Sequence, residues 1–385
     1  MTTTYLYLDD GDQAESSAFS NAVLNATPEL QINLEYPSEF SKQISQVTEA
    51  SFSADGLILD LRLDQLAHPI NDDKRQADYR APSPAQEIRT RAAERGQREF
   101  PIVLWSFDER LKESYRKDHT SHDLFDLIVV KEDLSDDVVA RTVGRRLLSL
   151  VEGYQDIVRV RDNEPRRVGW FYRLLGFDAI DDASFLDPRL LEYFDSPDDI
   201  ERPAHEYARF VIRHLLERSG PLIDRLLLTS RLGLDLEASS DIEKLFEQIF
   251  VDAKYQGVFQ GGWERWWAFK VEEIWNREAS DAGPLRTLKA GERVEKLKAL
   301  TGFKNLAPAE LLHPDYSTRY WAICQELKTP LDPRDSLLLR QNKQYPWQSE
   351  QFVSFEAYRQ RLVSRRDIDK LDHGRLEMFK EQRSS

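Results

Sequence analysis

The sequence predicts an α/β fold for its first third: a doubly wound, five-stranded parallel sheet in the order 2-1-3-4-5, followed by a mostly α-helical second domain. Three observations predict it. Short, continuous apolar runs recur through residues 1–135, helical stretches separate them, and acidic or hydroxyl side chains stand where the runs end. Continuous apolar runs of four to six residues read as strands buried on both faces, which is the signature of a parallel sheet. Strand–helix alternation through five rounds then implies double winding.

Taken in order, Tyr5-Leu-Tyr-Leu8 is the first strand. Leu30-Gln-Ile-Asn-Leu-Glu-Tyr36 alternates apolar and polar residues, as an edge strand does. Gly56-Leu-Ile-Leu59, Pro101-Ile-Val-Leu-Trp105 and Phe125-Asp-Leu-Ile-Val-Val130 complete the sheet. Helices are expected over 14–26, 38–48, 84–96 and 108–118, with another starting near Ser135, where Ser135-Asp-Asp supplies caps and negative charge for a helix N-terminus. Apolar residues at helical spacing from Val138 to Val160 extend that last helix into a connector. Arg141, Arg145, Arg146, Arg159, Arg161, Arg166 and Arg167 stud it or its end. The expected organisation is 1–135, a sheet domain; 136–165, a helical connector; and 166–385, a helical interaction or output domain.

Bulk properties narrow the function. The 385-residue chain is long enough for two cores, and 41% hydrophobic and 11% aromatic residues exclude a disordered chain. No apolar run is long enough to span a membrane and no signal-peptide pattern opens the chain, so a cytoplasmic location without membrane attachment is expected. Cys324, the single cysteine, has no partner for a disulfide or a zinc site. The net charge of −15 argues against DNA binding, which needs a Lys/Arg surface. Residues 1–135 hold 14 basic and 25 acidic residues, net −11, leaving 39 and 43, net −4, for the remainder. An acidic unit of this kind suits a site that gathers carboxylates around a cation.

The residues after each strand form such a set. Asp9 and Asp10 follow the first strand, Asp60 ends the third, Ser106 follows the fourth and Lys131 the fifth. A doubly wound sheet brings them to one rim, because its ligands sit at the carboxyl ends of the strands. Three carboxylates suit Mg²⁺, Asp60 can act as a nucleophile on phosphorus, and Lys131 can neutralise phosphoryl oxygens. The Ser106 hydroxyl can rotate onto a phosphoryl group once it arrives.

With all five positions in order over roughly residues 1–135, the sequence resembles the receiver domain of two-component response regulators. The resemblance implies Asp60 as phosphoacceptor, Ser106 as switch hydroxyl, Lys131 as phosphoryl contact, and Asp9, Asp10 and Asp60 as the Mg²⁺ site. It places Asp10 and Asp60 directly on the metal and Asp9 behind a water. It implies an atypical response regulator, not an enzyme, that takes phosphoryl from a histidine kinase and relays or buffers it through a downstream protein partner. The sequence departs from the family pattern at four places. Phe107 stands where a small residue usually follows the switch hydroxyl, Glu132 where a proline usually follows the lysine, and Ile128 where an aromatic switch residue usually sits. An insertion runs from His68-Pro-Ile-Asn-Asp-Asp-Lys-Arg75 through Arg80-Ala-Pro-Ser-Pro84. Two alternatives use the same residues: a pseudo-receiver scaffold that is never phosphorylated, and a Mg²⁺-dependent phosphohydrolase or nuclease.

Residues 166–385 carry no P-loop, nucleophile elbow or zinc-protease helix, and helices are expected over 203–217, 240–253, 263–277 and 287–300. Trp263, Trp266, Trp267 and Trp275 fall near one face of the third and read as core. His119 and His122 read as a surface pair, and His205 and His214 as packing or surface residues.

Overall fold

The computed structural model describes residues 2–64, 77–113, 115–117, 122–163, 170–178, 185–192, 202–341 and 343–381. The insertion segment His68 to Arg75, His119, Arg166 and Arg167 lie outside the described residues. The chain forms two compact units. One comprises Met1–Ala183, Leu191–Arg213 and Gln256–Trp263; the other Ser184–Leu190, His214–Tyr255 and Glu264–Ser385.

The first unit is built on β1 (Thr3–Leu8), β2 (Leu30–Glu35), β3 (Gly56–Asp60), β4 (Ile102–Ser106) and β5 (Leu127–Val130), all parallel, in the order β2-β1-β3-β4-β5. This is the expected receiver-like topology, and alternating β2 lies at an edge. The helices are α1 (Gln13–Ala26), α2 (Phe40–Thr48), α3 (Pro82–Arg95), α4 (Asp108–Glu113) and α5 (Asp137–Asn163). Because successive strand residues face opposite ways, Leu6 and Leu8 join Leu57, Leu59, Ile102 and Leu104 against Ile44, Val47, Ala85 and Ile88 of α2 and α3. Tyr5 and Tyr7 take the other face, where the Tyr5 hydroxyl donates to the Leu147 carbonyl of α5 at 2.8 Å.

Two boundaries differ from the sequence reading for identifiable reasons. The expected helix over 108–118 closes at Glu113 and resumes as a 3₁₀ turn, Tyr115–Lys117. The fifth apolar run begins at Phe125, but the strand starts at Leu127 because Asp126 is committed elsewhere. Its buried carboxylate accepts from Ile102 N at 2.8 Å, Arg89 Nη2 at 2.7 Å and the Tyr154 hydroxyl at 2.7 Å. One side chain thereby ties β4, α3 and α5 to the foot of β5. Beyond α5 the described helices are α6 (Trp170–Leu174), α7 (Pro188–Glu192) and α8 (Ala204–Phe210), the last continuing as a π-turn, Val211–Leu216. Gly262 brings the segment 256–263 close to α5, since a Cβ there would stand 2.9 Å from Arg146 Cα.

The second unit is mostly helical: α9 (Arg225–Leu232), α10 (Ile242–Gln248), α11 (Ala268–Glu278), α12 (Ala290–Thr301), α13 (Phe355–Arg359) and α14 (His373–Glu381). Short antiparallel ladders that the sequence did not announce pair β6 (Leu222–Ile223) with β7 (Trp266–Trp267), β8 (Ala322–Ile323) with β9 (Pro330–Leu331), and β10 (Ser336–Leu338) with β11 (Phe352–Ser354). The four tryptophans are buried, as core residues should be, but they do not share a helix face. Trp266 and Trp267 form β7, and the helix begins only at Ala268. Burial pushes the His205 imidazole down to about 2, with Arg89 and Arg209 adding to the shift, which keeps it neutral and fits packing. No described helix is long and apolar enough to cross a membrane.

Removing Asp126 leaves Arg89 buried without its counter-charge. Asp126→Ala is expected to cost about 3–5 kcal/mol in urea unfolding. A loss under about 1 kcal/mol would show that the Arg89 site relaxes to solvent instead.

Candidate phosphoacceptor site

All five residues anticipated at the strand ends come together, and all are buried, Asp60 and Ser106 completely. The sheet supplies the placement. Asp60 is the last residue of β3 and lies opposite Trp105, Ser106 ends β4 opposite Val130, and Lys131 opens the 3₁₀ turn Lys131–Ser135 directly after β5. Asp9 and Asp10 follow β1, and Asp12 caps α1 by accepting from Ala14 N and Glu15 N. The opening Asp-Asp-Gly-Asp run therefore divides into two site residues, a spacer and a helix cap. A Cβ on Gly11 would stand 2.9 Å from Asp9 Oδ1, and its absence lets Gly11 N donate to that oxygen at 2.8 Å.

Lys131 Nζ holds the acidic side chains together, 2.7 Å from Asp9 Oδ2 and 2.8 Å from Asp60 Oδ1. Asp9 Oδ2 also accepts from Ser16 Oγ at 2.9 Å and from the Tyr7 hydroxyl. Asp60 Oδ2 accepts from Arg62 N at 3.0 Å and lies 3.4 Å from Arg110 Nη1. The two carboxylates titrate in opposite senses. For Asp9, burial pushes upward but Lys131, Tyr7 and Gly11 outweigh it, leaving the carboxyl below its usual range. For Asp60, burial wins; Lys131 opposes it, Asp9 adds to it, and the carboxyl is raised. Desolvation and a like charge are thus focused on the side chain expected to act as nucleophile.

Each of Asp9, Asp10 and Asp60 offers a carboxylate oxygen within 4.8 Å of the others. Ligands on Mg²⁺ at about 2.1 Å stand no more than about 4.2 Å apart, so the set closes around the ion with a shift of a fraction of an ångström. The donor set fits: hard oxygen ligands, buried and convergent. Asp9 already receives four protein donors, which leaves Asp10 and Asp60 as the better placed direct ligands. Ser106 Oγ is buried with no hydrogen-bond partner among the described residues. A buried hydroxyl in that condition calls for an explanation, and an acceptor arriving on Asp60 supplies one.

Three features were not foreseen. Arg110, four residues past Ser106 on α4, brings a second cation to Asp60 and sits 5.4 Å above the Phe107 ring. The same ring lies 5.2 Å from Lys131 Nζ and packs edge-on against Phe19 at 5.8 Å. Glu132 accepts from Asp108 N at 3.2 and 3.3 Å, joining the turn after β5 to the first residue of α4. Arg110 had a signal, since a helix opening immediately after β4 turns its first-turn side chains toward the strand ends. Ile128, at the family's aromatic switch position, is 40% exposed on β5.

The N-terminal unit is similar to response-regulator receivers. A phosphorylated cyanobacterial phytochrome response regulator, RcpA, matches with 15% identity over 39% of this chain and 96% of its own, at a TM-score of 0.27. A receiver domain protein from Clostridium thermocellum matches with 13% identity over 37% and 93%, at 0.22. A response regulator in red light signalling of R. palustris matches with 14% over 37% and 90%, at 0.24. No protein-family model and no curated protein matches the chain.

With Lys131 removed, the receiver-like unit keeps buried carboxylates that repel one another. Lys131→Met is expected to lower stability by about 3–5 kcal/mol. Asp60→Asn in the same background should restore part of that loss, and strict additivity in the double-mutant cycle would contradict the coupling.

Proposed function

We propose that the N-terminal unit is the phosphoacceptor of an atypical response regulator acting in the cytoplasm. Asp60 takes a phosphoryl group from a histidine kinase, and the signal is relayed to, or buffered against, a downstream protein partner through the remainder of the chain. One observation carries the reading: Asp9, Asp10, Asp60, Ser106 and Lys131, spread over more than a hundred residues, converge at the carboxyl ends of a 2-1-3-4-5 sheet. A structural ion-pair cluster needs the carboxylates and the lysine, but it has no use for a buried, unpartnered hydroxyl beside them.

In the transfer, an Asp60 carboxylate oxygen forms a bond to phosphorus as the P–N bond of phosphohistidine breaks. The bonding pair stays on the imidazole nitrogen, which takes up a proton. Asp9, Asp10 and Asp60 would hold Mg²⁺, which neutralises charge on the phosphoryl oxygens when bound. Lys131 Nζ, 2.8 Å from Asp60 Oδ1, would receive another of those oxygens, and Ser106 Oγ could donate to a third. The ammonium must then exchange part of its contact with Asp9 and Asp60 for the phosphoryl group. That exchange makes the modification felt at β1 and β5 together.

A scaffold reading also has a specific observation behind it. The Phe107 ring lies within 5.4 Å of both Lys131 and Arg110, where a bulky side chain would hinder a phosphoryl group, and Arg110 already engages Asp60.

The readings separate on exposure to Mg²⁺ and acetyl phosphate. A single phosphoryl adduct by intact mass is expected, absent in Asp60→Asn, with Phe107→Ala accelerating uptake roughly tenfold by opening the approach, equivalent to about 1.4 kcal/mol. Trp105, fully buried beside Ser106 and 5.2 Å from Tyr7, should change emission on saturation with beryllofluoride. No adduct with unchanged emission selects the scaffold, and continuous phosphate release from nucleotides selects the hydrolase.

A further inference from the structure

The second unit contains a cleft of about 500 Å³ whose lining includes Arg218, Arg231, Arg286, Lys328, Trp321 and Gln341. That volume is in the range of small-molecule sites. Its unusual member is Arg231. The residue is 8% exposed, its Nε is fully buried, and its guanidinium makes no hydrogen bond or ion pair with any described residue. The side chain lies 4.6 Å over the Trp321 ring, which satisfies the face of the guanidinium but none of its five donors. Arg286 approaches the same ring at 5.4 Å, so two like charges share one indole. The Gln341 side-chain nitrogen is a second buried donor in the lining without a partner.

The arrangement is held in place. Asp224 caps α9, accepting from Leu227 N at 2.8 Å, and Ser230 Oγ donates to the Ala322 carbonyl at 2.8 Å, fixing α9 to β8. Buried Arg293 spends its Nη1 on the carbonyls of Arg231 and Tyr320, at 2.6 and 2.8 Å, and so pins the backbone of both residues that frame the indole. Lys328 occupies a left-handed backbone conformation, φ 54°, that a non-glycine residue rarely adopts, at the turn that brings it to the cleft. Carboxylates are present too: Glu272 attracts Arg231 from a distance, but none makes a hydrogen bond or ion pair with it. Asp224 is committed to its cap, and neither Glu217 nor Glu350 pairs with the guanidinium. Burial pushes Arg231 down to about 10 against the attraction of Glu272, with Arg286 adding a smaller repulsion, so it still carries its charge at neutral pH.

We propose that this cleft binds a small organic molecule carrying a phosphate or carboxylate group, with the oxyanion paired to Arg231 and Arg286. A guanidinium presents a planar fork of donors that matches either oxyanion in a bidentate pair. Arg231 supplies that fork already desolvated and oriented on the indole. Arg286, Arg218 and Lys328 add positive charge at the same opening, and the glutamine-rich wall offers amide donors and acceptors to the rest of the molecule. This site is independent of Asp60 and stands whether or not that residue is phosphorylated.

The test is calorimetric titration of the full chain, in Mg²⁺-free buffer, with AMP, inorganic pyrophosphate and citrate as separate probes. Saturable one-to-one binding of at least one probe is expected; a preference for AMP or pyrophosphate identifies a phosphate site, and a preference for citrate a carboxylate site. Arg231→Gln should weaken that binding by roughly tenfold and Arg286→Gln by about threefold. The probe should raise the melting temperature of the wild type and not of Arg231→Gln. Without a probe, Arg231→Gln should melt no lower than the wild type, because burial of the cation outweighs the attraction of Glu272. Failure of all three probes at about 10 mM, an affinity within about twofold of wild type in Arg231→Gln, or a lower melting temperature of that variant without probe would each overturn the proposal.

Discussion

The ammonium of Lys131, held between Asp9 and Asp60, is the contact on which the first unit depends. Three carboxylates converge at the rim of the sheet, and burying them together without a cation would cost more than most single side chains contribute to folding. Lys131 answers two of them at hydrogen-bond distance. It can do so only because β5 pairs with β4 in the register that sets Val130 opposite Ser106 and leaves the next residue at the same rim. A slip of one residue in that parallel pairing would turn the lysine to the other face. The register is fixed in turn at the opposite end of β5, where Asp126 locks Ile102 N, Arg89 and Tyr154. The charged cluster at one end of the sheet and the ionic lock at the other are consequently parts of one device.

Around that cation, the departures from the receiver pattern form a connected set. Phe107 packs on Phe19, faces both Lys131 and Arg110, and covers the ground where a small side chain would leave room. Arg110 lends Asp60 a second positive charge from α4. Glu132, in place of a proline, ties the turn after β5 to the amide of Asp108. Each change binds α4 or its preceding loop to the site. Through these contacts α4 is joined directly to the charge on Asp60 and to the turn after β5. Ile128, by contrast, is exposed on β5, and the direct contact from α4 to Asp60 is made by Arg110.

The sheet and its five site residues were legible in the sequence because both are local signals repeated with a regular phase. Four apolar runs and one alternating run fix the strands, and a candidate site residue at the end of each apolar run can be read without knowing any long-range contact. What stayed hidden depends on partners distant in sequence. Asp126 looked like an ordinary polar residue inside an apolar run, although Arg89, 37 residues away, makes it indispensable. The Trp266-Trp267 pair looked helical because its spacing to Trp263 and Trp275 is helical. The ladder with Leu222–Ile223 overrides that periodicity, as tertiary pairing commonly does over a two-residue stretch. Arg231 is the sharpest case. An arginine near the end of a helix is usually a solvated charge favoured by the dipole, and nothing in its neighbours shows that Arg293 and Trp321, far along the chain, will bury it.

The two sites also share a logic with opposite signs. At Asp60 three carboxylates meet Lys131 and Arg110, while Arg62 is largely spent on Asp64 at 2.7 Å. At Arg231, two cations gather around one indole, and the attraction of Glu272 does not offset the burial of the guanidinium. Each cluster is rigidly framed by backbone hydrogen bonds, and each retains a buried polar group, Ser106 Oγ or Arg231 Nε, without a partner. A core that only had to fold would have replaced either group with an apolar residue at no loss. At these two positions the proposed ligands, a metal with a phosphoryl group in the first case and an oxyanion in the second, would find an unspent donor inside a fixed frame.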